Sequence, residues 1–140
     1  MYFNDPHSHA WDALLEAAWK AWDNAHAPYS GFKVGAALLR KGGGIVAGCN
    51  VENAAYPSSL CAERTAICAA VAQGLKPGAV SALVVVTEAP VLTPPCGACR
   101  QVLAEFAEDL PILLANRAGR SLCSLRELLP RAFTGRNLGH

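Results

Sequence analysis

Ala82-Leu83-Val84-Val85-Val86-Thr87 is the stretch on which the fold turns. It is a continuous apolar run, rich in β-branched side chains and with no polar alternation. A strand of that kind is covered on both faces, so layers must flank it on either side. Upstream, Cys61–Gln73 reads as a helix ended by Gly74 and Pro77. Its apolar residues (Ala62, Ala66, Ile67, Ala69, Ala70, Val71) lie nearly all round, which predicts burial on several sides. Downstream, Gly97–Ala107 reads as a second buried helix, with Val102, Leu103 and Phe106 toward the sheet, and Ile112–Leu114 as another strand.

Farther out, Val34–Leu39 and Ile45–Cys49 flank Lys41-Gly42-Gly43-Gly44 and predict a hairpin with a flexible tip. Residues 10–27 carry Trp11, Leu14, Leu15, Ala18, Trp22 and Ala25 at helical spacing, with Asp12, Glu16, Lys20 and Asp23 opposite. All three Trp fall in this helix, where core or interface packing is their expected role. Pro28-Tyr29-Ser30-Gly31 then breaks the chain, and Asn50–Ser59 is a polar, turn-rich loop. Ser124-Leu125-Arg126-Glu127 has capping-box spacing and predicts a short last helix stopped by Pro130. Strands alternating with helices after a hairpin imply an α/β domain with a mixed sheet. A single domain over residues 1–140 is expected, with 134–140 as a flexible tail.

Apolar residues make up 52% of the chain and charged ones 16%, a lean surface that suggests contact with sister subunits. The net charge is +1 and Lys and Arg are scattered, which argues against a nucleic-acid partner. Leu83–Val86 is too short to cross a membrane, and no apolar signal segment precedes it, so a cytoplasmic chain is expected. The six Cys are then expected as reduced thiols rather than a disulfide framework.

Cys61-Ala62-Glu63-Arg64 and Pro95-Cys96-Gly97-Ala98-Cys99-Arg100 carry the chemistry. Three thiols at this spacing can close three corners of a tetrahedral zinc site and leave the fourth open. Both segments stand where a loop enters a helix, and the positive helix end favours thiolates. Glu63, two residues beyond the first thiol, is placed to move protons of a water there. Zinc with three thiolates carries one net negative charge, and Arg64 is close enough in sequence to offset it by hydrogen bonding a thiolate. A thioredoxin-type redox pair leaves Cys61 and Glu63 unexplained and lacks an aromatic before the first thiol. A closed structural zinc site needs a fourth ligand. His7, His9, His26 and His140 are not at knuckle spacing, and Cys49, Cys68 and Cys123 read as small core hydrophobes. A purely structural zinc, with the oligomer itself as the function, also has no use for Glu63.

C-x-E followed by P-C-x-x-C resembles the signature of the zinc-dependent deaminases. Within them the chain resembles the short, homotetrameric cytidine deaminases over roughly Leu14 to Phe133. The likeness includes Ala27-Pro28-Tyr29-Ser30-Gly31-Phe32, Val34-Gly35-Ala36-Ala37-Leu38, Asn50-Val51-Glu52-Asn53-Ala54-Ala55-Tyr56 and Leu128-Leu129-Pro130-Arg131-Ala132-Phe133. The resemblance implies a three-layer α/β/α fold with a mixed five-stranded sheet, one zinc per subunit on Cys61, Cys96 and Cys99, and hydrolysis of cytidine and 2′-deoxycytidine in pyrimidine salvage. It implies that Glu63 passes a water proton to N3 of the base and then helps ammonia leave. Phe32 would lie along the pyrimidine, and Asn50 and Glu52 would bind the ribose hydroxyls. Val51 and Asn53 share their loop, and Ala54, Ala55, Tyr56 and the Ala62 backbone would line the pocket. Tyr56 and Phe133 would reach into a neighbouring subunit's site, so that sites are completed across the homotetramer. The alternative is a related deaminase acting on another cytosine nucleoside such as blasticidin S. Polynucleotide editors resemble the chain less, since their first ligand is usually His where Cys61 stands. Lys33 departs from the Pro the family often has there, and the Trp-rich first helix is also unusual.

Overall fold

The computed structural model describes residues 3–140; Met1 and Tyr2 lie outside the described residues. The central run forms β3 (Val80–Val86), flanked by β1 (Gly35–Arg40) and β4 (Pro111–Ala115). With β2 (Ile45–Cys49) and β5 (Arg120–Ser124) the sheet has five strands in the order β2-β1-β3-β4-β5. Only β3 and β4 run parallel, and every other neighbouring pair is antiparallel. The parallel pair requires a crossover, which α3 (Gly97–Phe106) supplies.

The period of two along β3 sorts the core into two halves. Ala82, Val84 and Val86 pack with Trp11, Leu14, Leu15 and Ala18, so α1 (Asp12–Asp23) covers one face. Leu83 and Val85 pack on the other face with Ala66, Ile67, Ala70 and Leu103 from α2 (Ala62–Ala72) and α3. The fold is therefore the three-layer α/β/α arrangement with a mixed five-stranded sheet. Each fully buried Val, Leu or Ile contributes about 1.5–3 kcal/mol.

The first helix is shorter than its periodicity predicts: His9–Trp11 is a 3-10 turn and α1 ends at Asp23. As expected, α2 is buried on several sides, against the sheet and α3, but the stripe carrying Cys68 and Val71 is exposed, contrary to the reading of Cys68 as a core hydrophobe, because nothing among the described residues packs on that side. On α3, Leu103 is buried while Val102 and Phe106 sit at the half-buried margin. Ser124 caps α4 (Leu125–Leu128) as its spacing predicts, its hydroxyl accepting from Glu127 N at 3.2 Å. In the segment expected as a flexible tail, Gly135–Leu138 forms a 3-10 turn capped by Thr134 and Asn137, and Arg136 pairs with Glu108 at 2.7 Å. No described helix is long and apolar enough to cross a membrane.

Candidate active site

The two thiol segments meet because α2 and α3 start at the same edge of one sheet face. Cys61 is the N-cap of α2 and Cys96 the N-cap of α3, with Cys99 in the first turn of α3. Gly48 on β2 lies beneath the first turn of α2. A Cβ there would stand 2.5 Å from Ala66 N and 2.7 Å from Ala62 O, so only glycine lets this helix start so close to the sheet. The Thr65 hydroxyl lies 2.8 Å from both Cys49 O and Ala62 O and ties the same turn to β2. The start of α3 is held by Arg100, which donates to Pro95 O and Leu128 O at 2.7 Å each.

Cys61 Sγ and Cys96 Sγ are 3.7 Å apart, and Cys96 Sγ and Cys99 Sγ 3.4 Å. Three thiolates bound tetrahedrally at about 2.3 Å from one zinc stand about 3.8 Å from one another. The donor set and its spacing thus fit zinc. All six cysteines are free, so the disulfide framework does not form. Among the described residues no fourth His, Cys, Asp or Glu joins the group.

The polar surroundings favour a thiolate at Cys61. A hydrogen bond from the Cys99 thiol holds the Cys61 pKa well below the usual thiol range, and Arg64 adds to this through Nη2 at 3.5 Å. The same shared proton, with burial, pushes Cys99 up. Arg64 also reaches Ser59 O at 3.5 Å. Glu63 is 4% exposed. Burial pushes its carboxyl up to about 7, and the charge at Cys61 adds to the rise; its own backbone N–H and Arg64 oppose it.

Cys61, Glu63, Arg64 and Cys96 line a hollow of about 550 Å³, a size that suits a small molecule, while Cys99 is fully buried. Phe32, Asn50, Glu52, Tyr56, Thr93 and Pro94 also line it. A larger hollow of about 750 Å³, between α3 and the C-terminal turn, contains none of the expected site residues.

Asn50 and Glu52 are also structural clamps. Asn50 Nδ2 donates to Phe32 O at 2.7 Å, and its Oδ1 accepts from Val34 N at 2.9 Å. Glu52 Oε1 accepts from Tyr29 N and Ser30 N at 3.0 Å, and Ser30 Oγ donates to Oε2. These bonds hold the Glu52 carboxyl below the usual carboxylate range, Ser30 contributing most. Ser30 Oγ in turn accepts from Phe32 N at 2.9 Å. The segment carrying Phe32 is therefore placed by side chains rather than by a strand ladder.

Other expected residues stand apart. Val51, Asn53, Ala54 and Ala55 are exposed on the loop beside the hollow, where Asn53 Oδ1 accepts from Ala55 N at 2.9 Å. Phe133 is 57% exposed and its carbonyl accepts from Gln101 Nε2 at 2.9 Å; it lines no part of this chain's hollow. Sequence reasoning missed Ser30, Thr93 and Pro94. For Ser30, the turn signal Pro28-Tyr29-Ser30-Gly31 was the clue, since a turn Ser hydroxyl commonly bonds nearby backbone.

A family model described as the cytidine and deoxycytidylate deaminase zinc-binding region matches residues 9–113. The chain belongs to this family. A cytidine deaminase of Sporosarcina psychrophila is 45% identical over 131 residues, covering 92% of this chain and 95% of that protein. A cytidine deaminase of Mycobacterium tuberculosis is 43% identical over 124 residues, covering 88% and 89%. Among solved structures, cytidine deaminase from Burkholderia pseudomallei superposes with a TM-score of 0.84 at 49% identity, over 87% of this chain and 98% of the other. As a member of the zinc-binding deaminase family the chain is a hydrolase, and Cys61, Cys96 and Cys99 are the cluster that could hold its metal.

Proposed function

We propose that the protein hydrolyses cytidine and 2′-deoxycytidine to the corresponding uridines and ammonia. The observation that carries this reading is a buried carboxyl, Glu63, that lines a nucleoside-sized hollow together with Cys61 and Cys96, two of three converging thiols. Cys61, Cys96 and Cys99 would hold one zinc per subunit, with Arg64 offsetting their charge. When bound, zinc supplies a Lewis-acidic cation that lowers the pKa of a water from about 16 toward about 7.

The remaining steps belong to the chain. A carboxyl near neutrality can both take and give a proton, and Glu63 takes one from the attacking water. It delivers that proton to N3 of the base, which makes C4 electrophilic. The hydroxide left by the water bonds to C4; Glu63 then takes the proton of that new hydroxyl and gives it to the amine, so the C4–N bond breaks, ammonia leaves and a C4 carbonyl remains. Phe32 lies against the pyrimidine and excludes water. Asn50 keeps one amide N–H beyond its bond to Phe32 O, and Glu52 keeps acceptor capacity beyond Tyr29 and Ser30, which suits a pair of ribose hydroxyls.

The assembly we infer is a homotetramer. Tyr56 is 70% exposed and Phe133 57%, which supports a reading in which both reach into a neighbour's site; a role in cytoplasmic pyrimidine salvage belongs to the same proposal. Related relatives named cytidine deaminase favour cytidine over blasticidin S as the substrate. The test is ammonia release from cytidine, deoxycytidine, adenosine and blasticidin S, with and without a chelator. Turnover of the first two, lost with chelator and restored by zinc, is expected. Preferential turnover of adenosine or blasticidin S, or chelator-insensitive release, refutes the reading.

A further inference from the structure

Phe32 sits in an irregular segment just before β1, and three of its struts come from pocket residues: Ser30, Asn50 and Glu52. A fourth comes from the opposite layer of the fold. Trp22, in the last turn of α1, donates its indole Nε1–H to Lys33 O at 3.0 Å. The reach is possible because α1 crosses β1 at Gly35, where a Cβ would stand 2.1 Å from Ala18 O and 2.9 Å from Trp22 Cβ. Trp22 has aromatic and cationic neighbours. Trp19 packs edge-on against it with centroids 5.7 Å apart, and the Arg117 guanidinium lies 3.6 Å over Trp19 and 5.8 Å from Trp22. Arg117 pairs with Glu88 at 3.3 Å, and Asn116 Nδ2 donates to Ala89 O at 2.9 Å. Glu88 and Ala89 lie in the same loop as Thr93 and Pro94, which line the hollow.

We propose that Trp22 is a positioning residue for substrate binding, its indole N–H fixing the Lys33 carbonyl so that the adjacent Phe32 ring is held against the base. This rests on the reading of Phe32 as the pyrimidine's wall. A hydrogen bond of this kind fixes one backbone torsion on each side of the carbonyl, and releasing it lets the ring swing away from the base. Trp22 is half-buried on the α1 face of the sheet and Glu63 belongs to α2 on the other, so the chemistry at Glu63 is untouched.

The test is steady-state kinetics on the zinc-loaded full chain with cytidine. Trp22→Phe, which removes the N–H and keeps an aromatic, should raise KM about fivefold with kcat within about twofold and zinc content unchanged. Trp19→Phe removes an indole N–H that bonds nothing among the described residues, and should leave KM within about twofold of the parent. In a Phe32→Ala background, Trp22→Phe should add less than about twofold, because the ring it positions is gone. Unchanged KM in Trp22→Phe, an equal rise in Trp19→Phe, or an undiminished rise in the Phe32→Ala background overturns the proposal. If Trp22→Phe does not fold, β-(3-benzothienyl)alanine at position 22 replaces the N–H by sulfur at nearly constant shape, with the same expectations. If Phe32→Ala alone leaves KM unaltered, the stacking reading fails. If Phe32→Ala raises KM and Trp22→Phe does not, only the positioning role fails.

Discussion

Replacing Glu63 with Gln should move two observables in opposite directions: turnover down and stability of the metal-free fold up. The carboxyl is 4% exposed and its pKa is raised from 4.5 to about 7. Between those values the unfolded chain has released this proton and the folded chain still holds it. The folded state then binds more protons, so it loses stability as pH rises through the window. The gap, at about 1.4 kcal/mol per pH unit, comes to about 3 kcal/mol once the pH exceeds 7. Gln is neutral at every pH and escapes that cost. Chelator-treated, reduced parent and Glu63→Gln proteins should be unfolded with urea at pH 5 and pH 8. The difference between them should grow in favour of the variant by about 2.5 kcal/mol from pH 5 to pH 8, since a little of the cost is already present at pH 5. The paired comparison removes most of the opposite contribution from Cys61, whose lowered pKa favours folding as pH rises. Zinc-loaded Glu63→Gln should meanwhile lose at least about 10²-fold in kcat while keeping its metal. Identical pH dependence in the two proteins refutes the desolvation argument, and near-normal turnover in the variant refutes the proton-carrying role.

Phe133→Ala should raise KM or lower kcat in the assembled oligomer, although Phe133 lies outside its own chain's hollow; unchanged kinetics sink the shared site. Arg64→Ala removes the guanidinium 3.5 Å from Cys61 Sγ and should speed zinc loss to a chelator, measured by metal content against time. An unchanged loss rate would leave Arg64 with a packing role only. Gly48→Ala would place a Cβ 2.4 Å from Thr65 Oγ1 and 2.5 Å from Ala66 N, and should destabilise the fold by about 1–3 kcal/mol in urea titration. A neutral result would mean that α2 can retreat from β2 without loss.

The parts of the fold legible in sequence were those where one local pattern dominates. The run at Ala82–Thr87 could only be a doubly covered strand, and Cys61, Cys96 and Cys99 declared themselves by spacing and by the helix starts around them. β5 was not placed by its residues, because Arg120-Ser121-Leu122-Cys123-Ser124 is mostly polar and pairs along one side only, with β4. Its signal was the Asn116 turn, whose Oδ1 accepts from Ala118 N and Gly119 N at 2.9 and 2.7 Å. The exposed stripe of α2 at Cys68 and Val71 was hidden because a small-residue helix looks apolar all round whether or not a neighbour covers it. The clamping by Asn50 and Glu52 was equally invisible: both grip backbone roughly 16 to 23 positions away, which no window along the chain can reveal.

Under the proposed ribose-binding role, Asn50 has a second use that bears on redesign. Its amide faces the hollow and also holds Phe32 O and Val34 N, so any replacement chosen for a new sugar also unfastens the wall that the base would meet. Single-letter libraries at position 50 will therefore return mostly inactive clones whatever nucleoside is selected for. Altered sugar preference is more accessible by paired changes that first supply a substitute fastening for residues 32–34, and the order in which such mutations accumulate becomes part of the outcome.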